Sequence, residues 1–234
     1  LVSEHKPLAA YVVAPQGVIT GDADRWRRNY WEVMPACQGW EGFQSAVQAD
    51  ALYDGKAFAV DWRMQGAEMV RPRPDCYAFG RDGVGISQMR SLPASLFNGD
   101  KFDGNVAPLI PKNVAHLPAL WCFVSAPEFK ELVRALDQKL NVTNATLVKV
   151  PFDLAHWQQV AAERYPNGLP KPYSDDPTQW LFHGHPQPAT DPLQVAVARL
   201  AGYRWPAETD TAMELADEAR TWIARCERLA EHTD

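Results

Sequence analysis

The chain has 234 residues, 46% of them hydrophobic and 22% charged, as in an ordinary globular protein long enough for one large domain or two small ones. No run approaches the roughly 18 apolar residues of a membrane span, and no basic start with an apolar stretch marks a secretory leader, so a cytoplasmic protein with no membrane partner is expected. The net charge of −6 argues against a nucleic-acid partner in sum but not in distribution: the acids concentrate after Pro166, while arginines cluster earlier, at Arg25, Arg27, Arg28, Arg71, Arg73, Arg81 and Arg90.

In chain order, the first ~110 residues read as β-rich. Tyr11-Val-Val13, Ala57 to Trp62 and Val84-Gly-Ile86 are short β-prone runs between the turn signals Gly21-Asp22, Asp54-Gly55, Asp82-Gly83 and Asn98-Gly99. Arg71-Pro-Arg-Pro74 reads as a surface loop. Leu117, Leu120, Trp121 and Val124 then share a helical face. Ser125-Ala-Pro-Glu128 has capping-box spacing, opening a second helix with Phe129, Leu132, Val133, Leu136 and Leu140. Val142 to Val150 reads as a strand ending at Pro151, and Asp153 as the cap of a helix carrying Leu154, Trp157 and Ala161. From Tyr165 to Pro192 the chain is irregular, with Trp180, Leu181 and Phe182 to pack it down. Asp191-Pro192 starts a further helix ending near Gly202, and the last helix is expected from about Asp210 to Ala230. The fold class expected is α+β: a β-rich module followed by helices and a mostly helical C-terminal extension.

Catalytic patterns are scarce. The sequence has neither a P-loop nor G-x-G-x-x-G, and no G-x-S-x-G elbow. The four cysteines, Cys37, Cys76, Cys122 and Cys226, form no C-x-x-C pair and read as free thiols. His183-Gly-His185 is the best metal-like pair, since alternate side chains of an extended segment share a face; structural loop histidines are the plainer reading. Glu128-Phe-Lys130 has the E-x-K form of metal-dependent nucleases, but it opens a helix rather than lying on a strand. Asn141-Val-Thr143 and Asn144-Ala-Thr146 fit the glycosylation sequon by chance. Trp26 and Tyr30 stand among Arg25, Arg27, Arg28 and Asn29, a mixture that can stack on bases and hold phosphates; a charged helix face with two buried aromatics is the plainer alternative.

Four regions, in order along the chain, carry a resemblance. Gly17-Val-Ile-Thr-Gly-Asp-Ala-Asp-Arg-Trp-Arg-Arg-Asn-Tyr-Trp-Glu-Val33 resembles the opening of the specificity region of large bacterial N6-adenine DNA methyltransferases, the type II methylases with fused recognition regions and their relatives in phage-defence islands. Gly85 to Arg90, Phe97 to Phe102 and Ile110-Pro-Lys112 are similar to later recognition strands of that family, and Leu140 to Phe152 to the segment that closes the region. Tyr165 to Pro170 with Gln179 to Pro186 looks like the C-terminal extension of the phage-defence branch.

The resemblance implies a division of labour. In that family a D/N-P-P-Y/F loop holds the flipped adenine and a Gly-rich loop holds S-adenosylmethionine. This sequence contains neither, so the cofactor and the methyl-transfer residues are expected in an upstream domain, and the chain, which begins at Leu1, is expected to be part of something longer. What remains is recognition of double-stranded DNA, with no cofactor or catalytic residue of its own. Arginine reads guanine, asparagine or glutamine reads adenine, and lysine or arginine holds phosphate. On those grounds the expected contacts are Arg25, Arg27, Arg28 and Asn29, then Gln88 and Arg90, then Asn141, Thr143, Asn144 and Lys149, with Arg71 and Arg73 for phosphate. Residues 1–152 are expected to form the recognition region and 153–234 the helical extension, with other defence-system subunits as further partners. The rival readings are a protein-interaction module, carried by the acidic C-terminal part, and a small metal-dependent hydrolase using His183 and His185.

Overall fold

The computed structural model describes residues 5–29, 32–33, 38–170, 185–187, 189, 191–209, 211 and 215–230. The chain is an α+β protein, and its strands concentrate before residue 112 as the turn spacing predicts. It forms two compact units, each drawn from three segments of sequence. The first takes residues 1–19, 45–52 and 73–170, the second residues 20–44, 53–72 and 171–234. None of the described helices is long and apolar enough to cross a membrane.

The first unit is built on an antiparallel sheet. Its strands are β1 (Val12–Val13), β5 (Asp82–Ser87), β6 (Ala94–Asn98) and β8 (Val106–Pro111), in the order β1-β8-β5-β6. Val84 pairs with Leu96 on one side and Leu109 on the other. Every residue of β8 is buried, so this sheet is covered on both faces. Asp82-Gly83 was expected as a turn, but it lies in β5: a Cβ on Gly83 would stand 2.5 Å from the Leu109 carbonyl oxygen, so the glycine serves close approach of neighbouring backbone. The short β7 (Lys101–Phe102) supplies Phe102 to a cluster with Ala78, Phe97, Val106 and Ile110.

Helices close the sheet. The apolar α2 (Leu117–Val124) lies against β5 and α5 (Leu154–Arg164). Phe123 stands 5.2 Å from Phe129, 5.0 Å from Phe152 and 5.3 Å from Trp157, ring to ring, giving an aromatic core that ties these helices to α3 (Pro127–Leu136). Asp153 caps α5 as expected, accepting from the His156 amide at 3.1 Å. The capping box does not form: Ser125 Oγ donates back to the Trp121 carbonyl at 2.8 Å, and Ala126 stands at the N-cap.

Val142 to Val150 also departs from expectation. Isolated bridges at Asn141 and Pro151 flank a short helix, α4 (Asn144–Leu147). Thr143 accepts the Thr146 amide and caps it. Short polar side chains that bond their own backbone here outweigh β-branched composition. The N-terminal segment braces this region, with the Leu8 amide on the Val150 carbonyl and the Phe152 amide on that of Lys6.

In the second unit, α1 (Ala23–Trp26) runs into β2 (Arg27–Asn29), and β2, β4 (Phe58–Asp61) and β3 (Trp40–Gln44) form an antiparallel array with β4 central. Its helices are α6 (Pro192–Leu200), α7 (Pro206–Thr209) and α8 (Asp217–Ala230). The last helix starts later than expected; Leu215 is buried ahead of it, with Trp205, Ala207 and Ala219. A buried ion pair joins the helices: Arg199 donates to both Glu208 carboxylate oxygens at 2.7 and 3.1 Å and to the Cys226 carbonyl at 3.1 Å. Burial, with Glu208 close by, pushes the Cys226 thiol up to about 12. Cys76, Cys122 and Cys226 are free thiols.

Candidate nucleic-acid interface

The first unit gathers five of the expected contact residues at one end of β5. The Gln88 side chain is buried, and its Nε2 donates to the Val142 carbonyl at 3.0 Å and to Asn144 Oδ1 at 2.7 Å. Asn144 Nδ2 in turn donates to the carbonyls of Pro15 at 2.6 Å and Ala14 at 3.2 Å. Backbone bonds complete the knot: the Val142 amide meets the Gln88 carbonyl at 2.9 Å, and Met89 bridges Asn141. With Thr143 capping α4, the amides of Gln88 and Asn144 position their neighbours rather than face solvent.

What they position is a turn. Arg90 and Leu92 both have left-handed backbone, φ 57° and 55°, which costs L-residues roughly 1–2 kcal/mol each. The Arg90 amide donates to the Leu140 carbonyl at 3.2 Å, its carbonyl accepts from the Arg134 guanidinium, and Leu92 is fully buried. The Arg90 side chain is exposed and has no hydrogen-bond or ionic partner among the described residues. It stands on the rim of a hollow of about 400 Å³ lined by Gln48, Ser87, Gln88, Ser91 and Asn105 among others. None of the lining residues is acidic, and Arg90 is the one charged residue among them. Asn141, next to it across the bridge, is exposed with its amide likewise unpartnered among the described residues. Gln48, Ser91 and Asn105 come from different segments, and no sequence spacing foretells that they meet.

Two further expected residues belong to the first unit and five to the second. In the first unit, Lys149 is exposed beyond α4 with no side-chain partner among the described residues. Arg73 donates to Gln16 Oε1 at 2.6 Å and is half-buried. In the second unit, Arg71 is exposed without a side-chain partner among the described residues. The Arg25 to Asn29 stretch is spoken for locally. Asp22 caps α1 through the Arg25 amide at 3.1 Å, and the Arg25 guanidinium lies over the Trp26 ring and reaches Glu68. Arg27 stacks on Phe58, 4.2 Å from its centroid. Arg28 donates to the Asp24 and Arg27 carbonyls, and Asn29 to Glu32. Tyr30 lies outside the described residues.

A second hollow, of about 480 Å³, adjoins this stretch within the second unit, lined by Arg25, Trp26, Asp61, Arg63, Met64 and Glu68. Arg63, Met64 and Gln65 are absent from the sequence-based expectation. Arg63 Nε donates to both Asp61 oxygens at 2.9 and 3.1 Å, and this guanidinium holds the Asp61 carboxyl below its usual value against the opposing effect of burial. The one sequence signal at hand was Gly66, which has φ 69°.

The metal-like patterns find no site. His183 lies outside the described residues. The His185 ring packs 5.0 Å from that of Trp222, its Nδ1 accepts the Gln187 amide, and burial lowers its pKa. Lys130 pairs with Asp50 rather than with Glu128. Among the described residues, no group of three or more His, Cys, Asp or Glu side chains is placed to hold a metal. No protein-family model matches this sequence, and no curated protein is significantly similar to it.

Proposed function

We propose that this chain reads double-stranded DNA as the recognition part of an adenine-N6 methyltransferase, with S-adenosylmethionine and the methyl-transfer residues in an upstream catalytic domain. The observation that supports it best is the end of β5. A knot of the buried Gln88 amide and the half-buried Asn144 amide there holds a strained turn. The turn sets Arg90, whose side chain has no partner among the described residues, and the exposed Asn141 beside a hollow lined by amide, hydroxyl and apolar side chains and by no carboxylate. Such an arginine is suited to guanine O6 and N7 or to phosphate, and such an asparagine to adenine N6 and N7. Arg71 and Lys149 add exposed cations for the backbone. In this reading the acidic C-terminal part docks or stabilises rather than reads. The test is duplex binding by the 234-residue chain, wild type against Arg90→Ala. The variant should bind at least about fivefold more weakly or lose preference at one base. Equal affinity and equal preference would remove Arg90, and with it the main support.

A second reading, docking to another defence-system subunit, is favoured by α6. Leu193, Val197 and Leu200 recur on one helical face and are 71%, 55% and 72% exposed. A partner that this reading requires would be lost on Val197→Glu while DNA binding is kept.

A further inference from the structure

Residues Met64, Gln65 and Gly66 make a left-handed turn: Met64 has φ 51° and ψ 29°, Gln65 φ 55° and ψ 32°, and Gly66 φ 69°. Two consecutive L-residues in this region are rare, because each Cβ crowds the following carbonyl. Neither is of the Asn or Asp type that tolerates it. The turn is nevertheless firmly seated. The Gln65 amide donates to the Trp62 carbonyl at 2.9 Å, the Ala67 amide to that of Met64 at 3.2 Å, and the Met69 amide to that of Gly66 at 2.8 Å. Gly66 packs so closely on Met69, Pro72 and Trp62 that a Cβ would lie 2.9–3.3 Å from them. Trp62 and Met69 are themselves buried.

This expensive backbone exposes its side chains. Met64 is 73% exposed. Gln65 is exposed too, and its carboxamide has no partner among the described residues. Neither side chain is buried, so burial does not offset the strain. Strain held by an over-determined seat is the pattern of a preorganised contact. A carboxamide without a partner among the described residues, beside an exposed thioether, suits the major-groove edge of an A·T pair. Arg63 and Arg25 nearby are paired with Asp61 and Glu68, so the reading rests on Gln65 and Met64 and not on free cations. Adenine N6–H donates to the Gln65 oxygen, the Gln65 amide donates to adenine N7, and a thymine methyl offers apolar contact.

Resting on the DNA-reading function above, we infer that Met64 and Gln65 form a preset reading tip: Gln65 selects one adenine and Met64 packs on an adjacent thymine methyl. Selection from a random duplex pool by the 234-residue chain tests it. Wild type should enrich a site with a required A·T position. Gln65→Ala should lose about tenfold or more discrimination there, while its affinity for unselected duplex and its salt dependence stay within about twofold of wild type. Gln65→Asn, which tolerates the left-handed backbone and keeps the carboxamide, should restore part of the preference. Placing 7-deazaadenine at that position should weaken wild type and leave Gln65→Ala unaffected. Met64→Gly should lose preference at the neighbouring step and melt no lower than wild type, so that unfolding is not the cause. A Gln65→Ala protein that selects the wild-type site with undiminished preference would overturn the inference and leave the DNA-reading function standing. A wild type that binds duplex without base preference would overturn the inference and the reading of sequence together, leaving duplex binding alone. A wild type that binds no duplex at low salt would overturn both.

Discussion

At Arg90 and Leu92 in the first unit, a left-handed backbone is held by hydrogen bonds from distant segments: Leu140, Arg134 and, one layer below, the Gln88–Asn144 tie. At Met64 and Gln65 in the second, the left-handed backbone is held by bonds within the turn and by an apolar seat of Trp62, Met69 and Pro72. Both turns accept a conformational cost, the first presenting the exposed Arg90 while burying Leu92, the second exposing both Met64 and Gln65. The first is anchored by polar groups whose loss removes hydrogen bonds between distant segments, the second by shape, where an added atom does the damage. The two should therefore respond differently to substitution.

The largest effect is expected at the polar anchor. Asn144→Leu removes the amide donated to the half-buried Ala14 and Pro15 carbonyls and one of the two acceptors of the buried Gln88 Nε2, which keeps the Val142 carbonyl. A polar group left unsatisfied in the interior costs about 1–3 kcal/mol. A loss of about 3 kcal/mol in denaturant unfolding is predicted; a loss below about 1 kcal/mol would mean that water satisfies these groups and the anchor is not what holds the turn. Next comes the apolar seat. Gly66→Ala combines left-handed strain with a Cβ 2.9 Å from Met69 Sδ and 3.1 Å from Pro72 Cβ, for a predicted loss of about 2 kcal/mol. An unchanged melting temperature would show a turn free to shift.

Asp61 carries the smaller electrostatic part. Its pKa is lowered by the Arg63 hydrogen bond, so its contribution is present above the ordinary value of 3.8 and is lost as pH falls through the lowered one. Because Arg63 is 67% exposed, the pair contributes at most about 1 kcal/mol. Asp61→Asn should therefore be less stable than wild type near neutrality, and the gap should close as the pH falls through that lowered value. A gap that persists at strongly acid pH would assign it to packing. The smallest effect is a gain: Met64→Gly relieves one strained residue against added freedom of the unfolded chain, a net of about 0.5 kcal/mol. A net loss would show that Met64 packs on something that stabilises the fold.

The two turns also differ in how far the sequence foretells them. The β-rich first half, α2, the proline that opens α3 and the Asp153 cap follow from periodicity and end signals, because those are local. Gln88 and Arg90 were singled out by residue type and family likeness, yet which of the two faces solvent depends on Asn144, fifty-six positions on. The Val142 to Val150 stretch was misread because side-chain capping by Thr143 competes with β-branched propensity. Met64 and Gln65 carry no signal of their own: Gly66 announces a left-handed residue only at its own position, and the two before it are seated with it on Trp62, Met69 and Pro72. Arg25 to Asn29 drew attention by charge, but Glu68, Phe58, Asp24 and Glu32 engage that charge in the folded chain.

The central claim is that this acidic chain binds duplex DNA through its exposed arginine and amide side chains. Fluorescence anisotropy of a labelled duplex with the 234-residue chain, titrated from roughly 50 to 200 mM salt, tests it most directly. The account predicts binding at the low end that weakens steeply with salt and is reduced by Arg90→Ala. No binding at the lowest ionic strength, or binding that ignores both salt and Arg90, would contradict it.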